Sequence, residues 1–259
     1  MKTVRLEVAD GIARLTLDRP DQGNALDMTL ALDLGEAARR CADDETVRCV
    51  VLTGAGRMFC AGGNIGAFVA AGTPGPTLRK LADTVHIAIR TLAEMRKPLV
   101  VLVNGPAAGA GLSLAALGDI VLAAESSHFT AAYTAIGLTP DGGMTWLLPR
   151  LVGLRRTQEM ILTNRRVTAA EAASIGLVTR SVADADLAAE GLAAAERLVA
   201  APTAALGVSR GLILEGTESR FFDHLDREAA AISAAGDGAE GREGVAAFLA
   251  RRKPDFKGV

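Results

Sequence analysis

The stretch Leu99-Val100-Val101-Leu102-Val103-Asn104-Gly105-Pro106-Ala107-Ala108-Gly109-Ala110-Gly111-Leu112-Ser113-Leu114-Ala115-Ala116-Leu117 decides how the chain is read. Its first five residues are apolar and rich in β-branched side chains, as in a buried strand. Asn104 to Gly111 is a glycine-rich break containing a proline. From Leu112 onward, small residues and helix formers predict a tightly packed helix. A strand feeding a helix through such a break aims backbone N–H groups at one point. A helix N-terminus carries unpaired donors and a partial positive charge, so that point suits a developing negative charge.

Working outward, strand and helix signals alternate on both sides. Residues 2–8 and 11–18 read as two strands joined at Asp10-Gly11, a hairpin signal. Leu26, Leu30, Leu34 and Ala38 recur every four residues, which predicts an amphipathic helix with Asp27 as its N-cap. Val47 to Thr53 reads as a strand, followed by a loop over Met58–Ile65 and a surface turn over Gly72–Gly75. Leu78, Leu81, Val85, Ile89, Leu92 and Met95 mark a long helix ending before Pro98. Further strands are expected at 119–123, 127–130 and 177–182, with a capping box at Thr168-x-x-Glu171. From Asp184 the pattern is helical, with Pro202 in a first helical turn. This is an α/β chain whose carboxyl end is α-helical. No linker composition divides residues 1–183 from 184–259, so both belong to one domain.

The composition excludes several classes. Hydrophobic residues make up 49% and aromatics 3%, so the core is built from aliphatic side chains. A formal net charge of -2 gives no case for a nucleic-acid partner. Asn104, Pro106 and Asp119 interrupt the apolar region after Pro98, which argues against a membrane span. Cys41, Cys49 and Cys60 are odd in number and form no C-x-x-C pair, which fits a reducing, cytoplasmic setting. His86, His128 and His224 show no metal-ligand spacing, so no metal is expected and the three read as structural or surface groups. The 109–114 segment lacks the third glycine of a dinucleotide loop, and 111–115 lacks the last glycine of a nucleophile elbow.

Three segments remain: the glycine-rich loops at 60–65 and 104–111, and Gly137–Arg150 with Pro140-Asp141-Gly142 at its centre. Taken alone, each is also what a tight turn looks like, and Asp141 is a common turn former. Together they resemble the crotonase superfamily, the enoyl-CoA hydratase/isomerase family. The marks are Leu17-Asp18-Arg19-Pro20, Asn24-Ala25-Leu26, Phe59-Cys60-Ala61-Gly62-Gly63-Asn64-Ile65, Val103 to Gly111, Pro140-Asp141 and Lys253-Pro254-Asp255-Phe256-Lys257-Gly258. Their order and spacing run along essentially the whole chain.

The resemblance implies a crotonase-like spiral of strand-strand-helix turns with a helical trimerisation region after Asp184, hence a homotrimer or a dimer of trimers. It implies an acyl-CoA substrate, with coenzyme A part of the substrate and no separate cofactor. By position, the N–H groups of Gly63 and Ala110 match the oxyanion hole. Such donors act more strongly on an enolate than on the ground-state thioester. CoA is expected against Arg19, Ala25, Ala61, Gly62, Asn64 and Ile65, with Phe256 and Lys257 contributed by a neighbouring subunit. Gly66–Pro76 and Val85–Leu92 are expected to flank the acyl pocket.

The two hydratase glutamates fall on Ser113 and Tyr133. Their hydroxyls are far too weakly acidic to replace a carboxylate pair. Asp141 stands where isomerase-type members, that of the phenylacetate pathway among them, carry an aspartate. One carboxylate suffices for a double-bond shift, because it can remove a proton at one carbon and return it at another. The reading is therefore an acyl-CoA isomerase with Asp141 as acid/base, surrounded by Leu138, Trp146, Leu147 and Leu148. Hydratase, aryl-CoA dehalogenase or thioesterase-type chemistry, and a non-catalytic acyl-CoA-binding protein, are the alternatives. The acyl group and the pathway, fatty acid metabolism included, are not fixed by these residues.

Overall fold

The structure is a computed structural model and describes residues 1–70 and 72–259. Strands β1 (Val4–Ala9) and β2 (Ile12–Leu17) form the expected hairpin. Asp10 and Gly11 both have positive φ, 53° and 82°, as a two-residue turn matched to strand twist requires. Helix α1 (Met28–Asp43) starts at Asp27, whose Oδ1 accepts the Leu30 N–H at 3.0 Å. Strand β3 (Cys49–Gly54) follows.

A short helix, α2 (Ile65–Ala70), then begins at the last residue of the expected 58–65 loop and runs through residues to which the sequence assigns no element. Six residues are too few for a periodic pattern to register. Asn64 Oδ1 accepts the Ala67 N–H at 3.2 Å at its start. Helix α3 (Pro74–Glu94) begins inside the expected 72–75 turn, with Pro74 where a missing N–H costs nothing. Ala71, within the stretch expected to flank the acyl pocket, lies outside the described residues.

Strand β4 (Leu99–Val103) is buried along its whole length. It pairs in parallel with β3 and with β6 (Ile120–Ala124), so the main sheet runs β1-β2-β3-β4-β6-β9, where β9 is Arg180–Val182. Within this sheet only the β1–β2 pair is antiparallel. Alternation of side chains sends Val50, Leu52, Val101 and Val103 to the face covered by α1 and α3. Cys49, Val51, Val100 and Leu102 go to the face covered by α8 (Leu187–Val199). Both faces are therefore covered, which is why β4 reads as an unbroken apolar run.

A small second sheet joins β5 (Ala107–Ala108), β7 (His128–Thr130) and β8 (Val167–Thr168). Helices α4 (Ala110–Ala116), α5 (Met144–Val152), α6 (Leu154–Thr163) and α7 (Ala169–Ser174) complete the body. The capping box at 168–171 is half made. Thr168 Oγ1 accepts the Glu171 N–H at 3.2 Å, while the Glu171 carboxylate pairs with Arg165 at 2.6 Å.

After residue 184 the chain is helical as expected: α8, α9 (Thr203–Gly216), α10 (Phe221–Asp237) and α11 (Ala239–Leu249). Pro202 sits one residue earlier than expected, as the residue preceding α9. One arginine fastens α9 to the body. The Arg210 guanidinium donates to both Asp119 oxygens at 2.8 and 2.7 Å, and to the carbonyls of Leu92, Ala93 and Met95 that end α3. Asp119 Oδ2 in turn accepts the Leu99 N–H at 2.7 Å, so the same carboxylate also fixes the entry to β4. Among the described residues no single helix is long and apolar enough to cross a membrane.

Candidate active site

In a parallel sheet, neighbouring strands deliver their following loops to the same edge, and ligands bind in the crevice there. β3 and β4 are such neighbours, so the 55–65 and 104–111 loops meet. Cys60 bridges Ala107, with the Ala108 N–H donating to Cys60 O at 3.0 Å. The approach is too close for side chains. A Cβ on Gly111 would lie 2.2 Å from the Cys60 carbonyl oxygen, and one on Gly62 would lie 2.8 Å from that of Ala108. Gly62 also has φ +93°, which L side chains rarely adopt.

Two asparagines staple this region, Asn24 fully buried and Asn104 half-buried. Asn24 Nδ2 donates to the carbonyls of Ala55, Met58 and Phe59 at 2.8–3.1 Å, and its Oδ1 accepts the Arg19 N–H. Asn104 Oδ1 accepts the Gly54 N–H at 3.0 Å, and its Nδ2 donates to Gly56 O at 3.0 Å. The sequence marked both asparagines, but nothing in their spacing indicated these partners.

The loops wall one side of a cavity of about 250 Å³. Gly63 and Ala110 both line it. Leu26 N–H bonds the Gly62 carbonyl and Asn64 N–H bonds the Leu26 carbonyl, which leaves the Gly63 N–H between them unused. Ala110 is the first residue of α4, where an N–H has no partner within the helix. Among the described residues neither N–H has an acceptor. Two unpaired donors on one cavity can hold an oxygen that gains negative charge.

The opposite wall carries Tyr133 and Asp141. Tyr133 Oη donates to Asp141 Oδ1 at 2.5 Å. Burial, with the Asp141 charge adding to it, pushes the Tyr133 phenol well above the ordinary tyrosine value. The phenol is thus held as a donor and cannot serve as a base. Ser113 Oγ donates to the Asp141 carbonyl at 3.0 Å. The His86 ring accepts the Gly142 N–H through Nε2 at 3.1 Å, so that nitrogen carries no proton there. Ser113 and Tyr133, with one histidine from α3, hold the Asp141 turn. His86 thus supports the turn that carries Asp141, a partner that sequence spacing could not reveal.

Among the described residues lining this cavity, Asp141 is the only carboxylate. The rest of the wall is aliphatic or aromatic: Leu26, Ile65, Phe68, Leu78, Leu81, Val85, Ile136 and Leu138 among others. Of the apolar residues expected around Asp141, only Leu138 lines the cavity. Trp146 turns elsewhere, its Nε1 donating to Glu218 Oε1 at 3.1 Å and its ring lying under Arg150. Cys60 is no nucleophile, because burial raises its thiol to about 12. Among the described residues no group of three or more His, Cys, Asp or Glu could hold a metal ion.

The residues expected to contact CoA are divided. Ala61, Gly62 and Ile65 line the cavity, and Asn64 caps α2 beside it. Ala25 is buried next to Asn24. The Arg19 guanidinium is paired with Asp27 and donates to Gln22 Oε1 at 2.5 Å. Partial burial works against the Asp27 charge, but the Leu30 N–H and Arg19 outweigh it and hold that carboxyl below its ordinary range. Phe256 packs near Gly244, and Lys257 lines a separate groove with Glu7 and Glu196, so within one chain neither reaches the cavity.

A family model described as enoyl-CoA hydratase/isomerase matches residues 7–259. The chain is 38% identical over 260 residues to 1,2-epoxyphenylacetyl-CoA isomerase of Escherichia coli (strain K12), covering 100% of this chain and 99% of that protein. It is 33% identical to 4-chlorobenzoyl coenzyme A dehalogenase-2 of Arthrobacter sp, covering 87% of this chain and 82% of that one. The solved structure of an enoyl-CoA hydratase from Polaromonas sp. JS666 superposes with a TM-score of 0.92 at 32% identity, covering 97% and 98% of the two chains.

The phenol at residue 133 can be read directly, because the chain contains one tyrosine. Its raised ionisation means that tyrosinate absorbance stays absent as pH passes the usual tyrosine value of about 10, and appears only with unfolding. The group is more easily protonated folded than unfolded. Its contribution to stability is therefore complete below that value and is lost as pH climbs through the folded one. Asp141→Asn removes the neighbouring charge and should bring ionisation to lower pH. Ordinary tyrosinate formation in the folded wild-type chain would contradict the geometry.

Proposed function

The chain belongs to the enoyl-CoA hydratase/isomerase family, and from that premise we propose that it is an acyl-CoA isomerase that moves a double bond through an enolate. The observation that carries this reading is the single carboxylate, Asp141, in a cavity that Gly63 and Ala110 line from the facing loops. In the proposed reaction a 3-enoyl thioester binds with its carbonyl oxygen on the two N–H groups. Asp141 removes a proton from the α-carbon. The C–H electron pair becomes the α–carbonyl double bond of an enolate, and negative charge moves to the thioester oxygen. On collapse the double bond lies between the α- and β-carbons, and Asp141 returns the proton at the γ-carbon. The carboxylate is regenerated, and nothing is oxidised or reduced. The oxyanion donors stabilise the enolate more than the thioester, and one such donor is worth about 3 kcal/mol.

Tyr133 suits this cycle because a neutral phenol can donate to Asp141 whenever the carboxylate is charged. Hydration is the weaker reading, since neither Ser113 nor Tyr133 supplies a second carboxylate. A second reading has Asp141 attack a halogen-bearing aromatic carbon as a nucleophile, and the relative named as a dehalogenase favours it. Product analysis separates the two, because the second reading releases halide. With 3-enoyl-CoA, Asp141→Asn should lower turnover by roughly 10²–10⁴-fold while acyl-CoA affinity is nearly kept. Ser113→Ala should cost far less. Full isomerase activity in Asp141→Asn would end the mechanism.

We also propose that residues 184–259 assemble the protein as a trimer or a pair of trimers. Phe221, Phe222, Ile232, Phe248 and Leu249 are each more than 70% exposed in one chain, which is far more apolar surface than isolated surface residues account for. In such an assembly Phe256 and Lys257 are free to reach a neighbour's CoA, whose phosphates need cationic partners. Light scattering at micromolar concentration should give a multiple of three chains, and a monomer would remove the proposal.

A further inference from the structure

Beside the candidate site lies a second space of about 240 Å³, a groove open to solvent and close in size to the first. It sits between the start of α1, α2 and α3, and Asp27, Met28, Thr29, Ala67 and Thr77 line it besides Phe68 and Leu81. Phe68 and Leu81 line both cavities. Each is 7% exposed, so these two side chains are the material between the two spaces. The Phe68 ring also packs on Gly63, its Cζ only 2.9 Å from where a Cβ on that glycine would lie. The partition therefore begins beside the loop that carries the Gly63 N–H and runs to α3.

We propose that Phe68 and Leu81 form a partition that limits the size of the acyl group, and that the second cavity is space for a longer or bulkier acyl chain that the partition excludes. The inference rests on the acyl-CoA reading of the site but not on which reaction occurs there. The lining of the first cavity is apolar apart from the Tyr133–Asp141 pair, so binding there grows with the apolar surface buried until the space is full. Beyond Phe68 the wall continues with Met28 and Ala67. Asp27, at the rim of that space, has its carboxylate engaged by Arg19 and the Leu30 N–H. A chain entering there meets mainly apolar surface.

Saturated butanoyl-, octanoyl- and dodecanoyl-CoA test this by calorimetry, since they bind without reacting. In the wild-type protein, affinity should rise with chain length and then level off. Phe68→Ala should raise the dodecanoyl-to-butanoyl affinity ratio by about tenfold or more, because each methylene moved from water into an apolar space is worth about fourfold. Leu81→Ala should do the same from the α3 side without touching Gly63, so it carries the test if Phe68→Ala misfolds. Adding Met28→Phe to Phe68→Ala fills the second cavity and should remove the gain. Butanoyl-CoA binding with an unchanged ratio in both variants overturns the partition, as does a gain that survives Met28→Phe. If the wild-type protein binds none of the three thioesters, the acyl-CoA reading itself fails and the partition falls with it.

Discussion

A side chain at residue 111 would overlap the Cys60 carbonyl, and this contact between two loops is the constraint on which the candidate site depends. The loops leave adjacent parallel strands, so sheet register brings them to the same edge. The Cys60–Ala107 bridge then sets their separation. Backbone that packs this closely must satisfy its own polar groups. It does so through Asn24, Asn104 and short ladder bonds, with the Gly63 and Ala110 N–H groups left over. Leaving a donor without an acceptor costs free energy. Rigid loops hold that cost in place, and an oxygen that becomes negative is the ligand best able to offset it.

The facing wall works by the opposite rule, with its polar groups tied to one another and one Asp141 carboxylate oxygen left without a hydrogen-bond partner among the described residues. Asp141 accepts from Tyr133, its carbonyl accepts from Ser113, and the next N–H donates to His86. A carboxylate held this way keeps one orientation, which proton transfer at two carbons of one bound chain requires. The rest of the cavity is nearly free of polar side chains. Charge is thereby confined to the Asp141 carboxylate and to the oxygen proposed to sit on the Gly63 and Ala110 N–H groups.

The architecture was legible in the sequence where patterns are long. The β1–β2 turn, the Asp27 cap, the buried β4 run and the helical end after residue 184 all follow from local chemistry. Helix α2 was not legible, because six residues carry no periodic signal; the 66–76 stretch was expected beside the acyl pocket, but nothing in it singled out Phe68 as the residue that lines the cavity. The glycine loops and the Pro-Asp turn were visible as motifs. Their meeting in one cavity depends on strand pairing far apart in sequence. The long-range side-chain bonds were invisible for the same reason. Asn24 to Met58 spans 34 residues, and His86 to Gly142 spans 56. Tyr133 and Ser113 were recognised as lacking carboxylates, but their bonds to Asp141 needed the fold.

The central claim is that one carboxylate takes a proton from the α-carbon of a thioester whose oxygen sits on two N–H groups. A 3-enoyl-CoA carrying two deuterons on the α-carbon tests it most directly, with products read by mass spectrometry and NMR. A slowed reaction is expected, in which one deuteron leaves the α-carbon and appears in part at the γ-carbon of the 2-enoyl product. Recovery of bound thioester with both deuterons still on the α-carbon would contradict it.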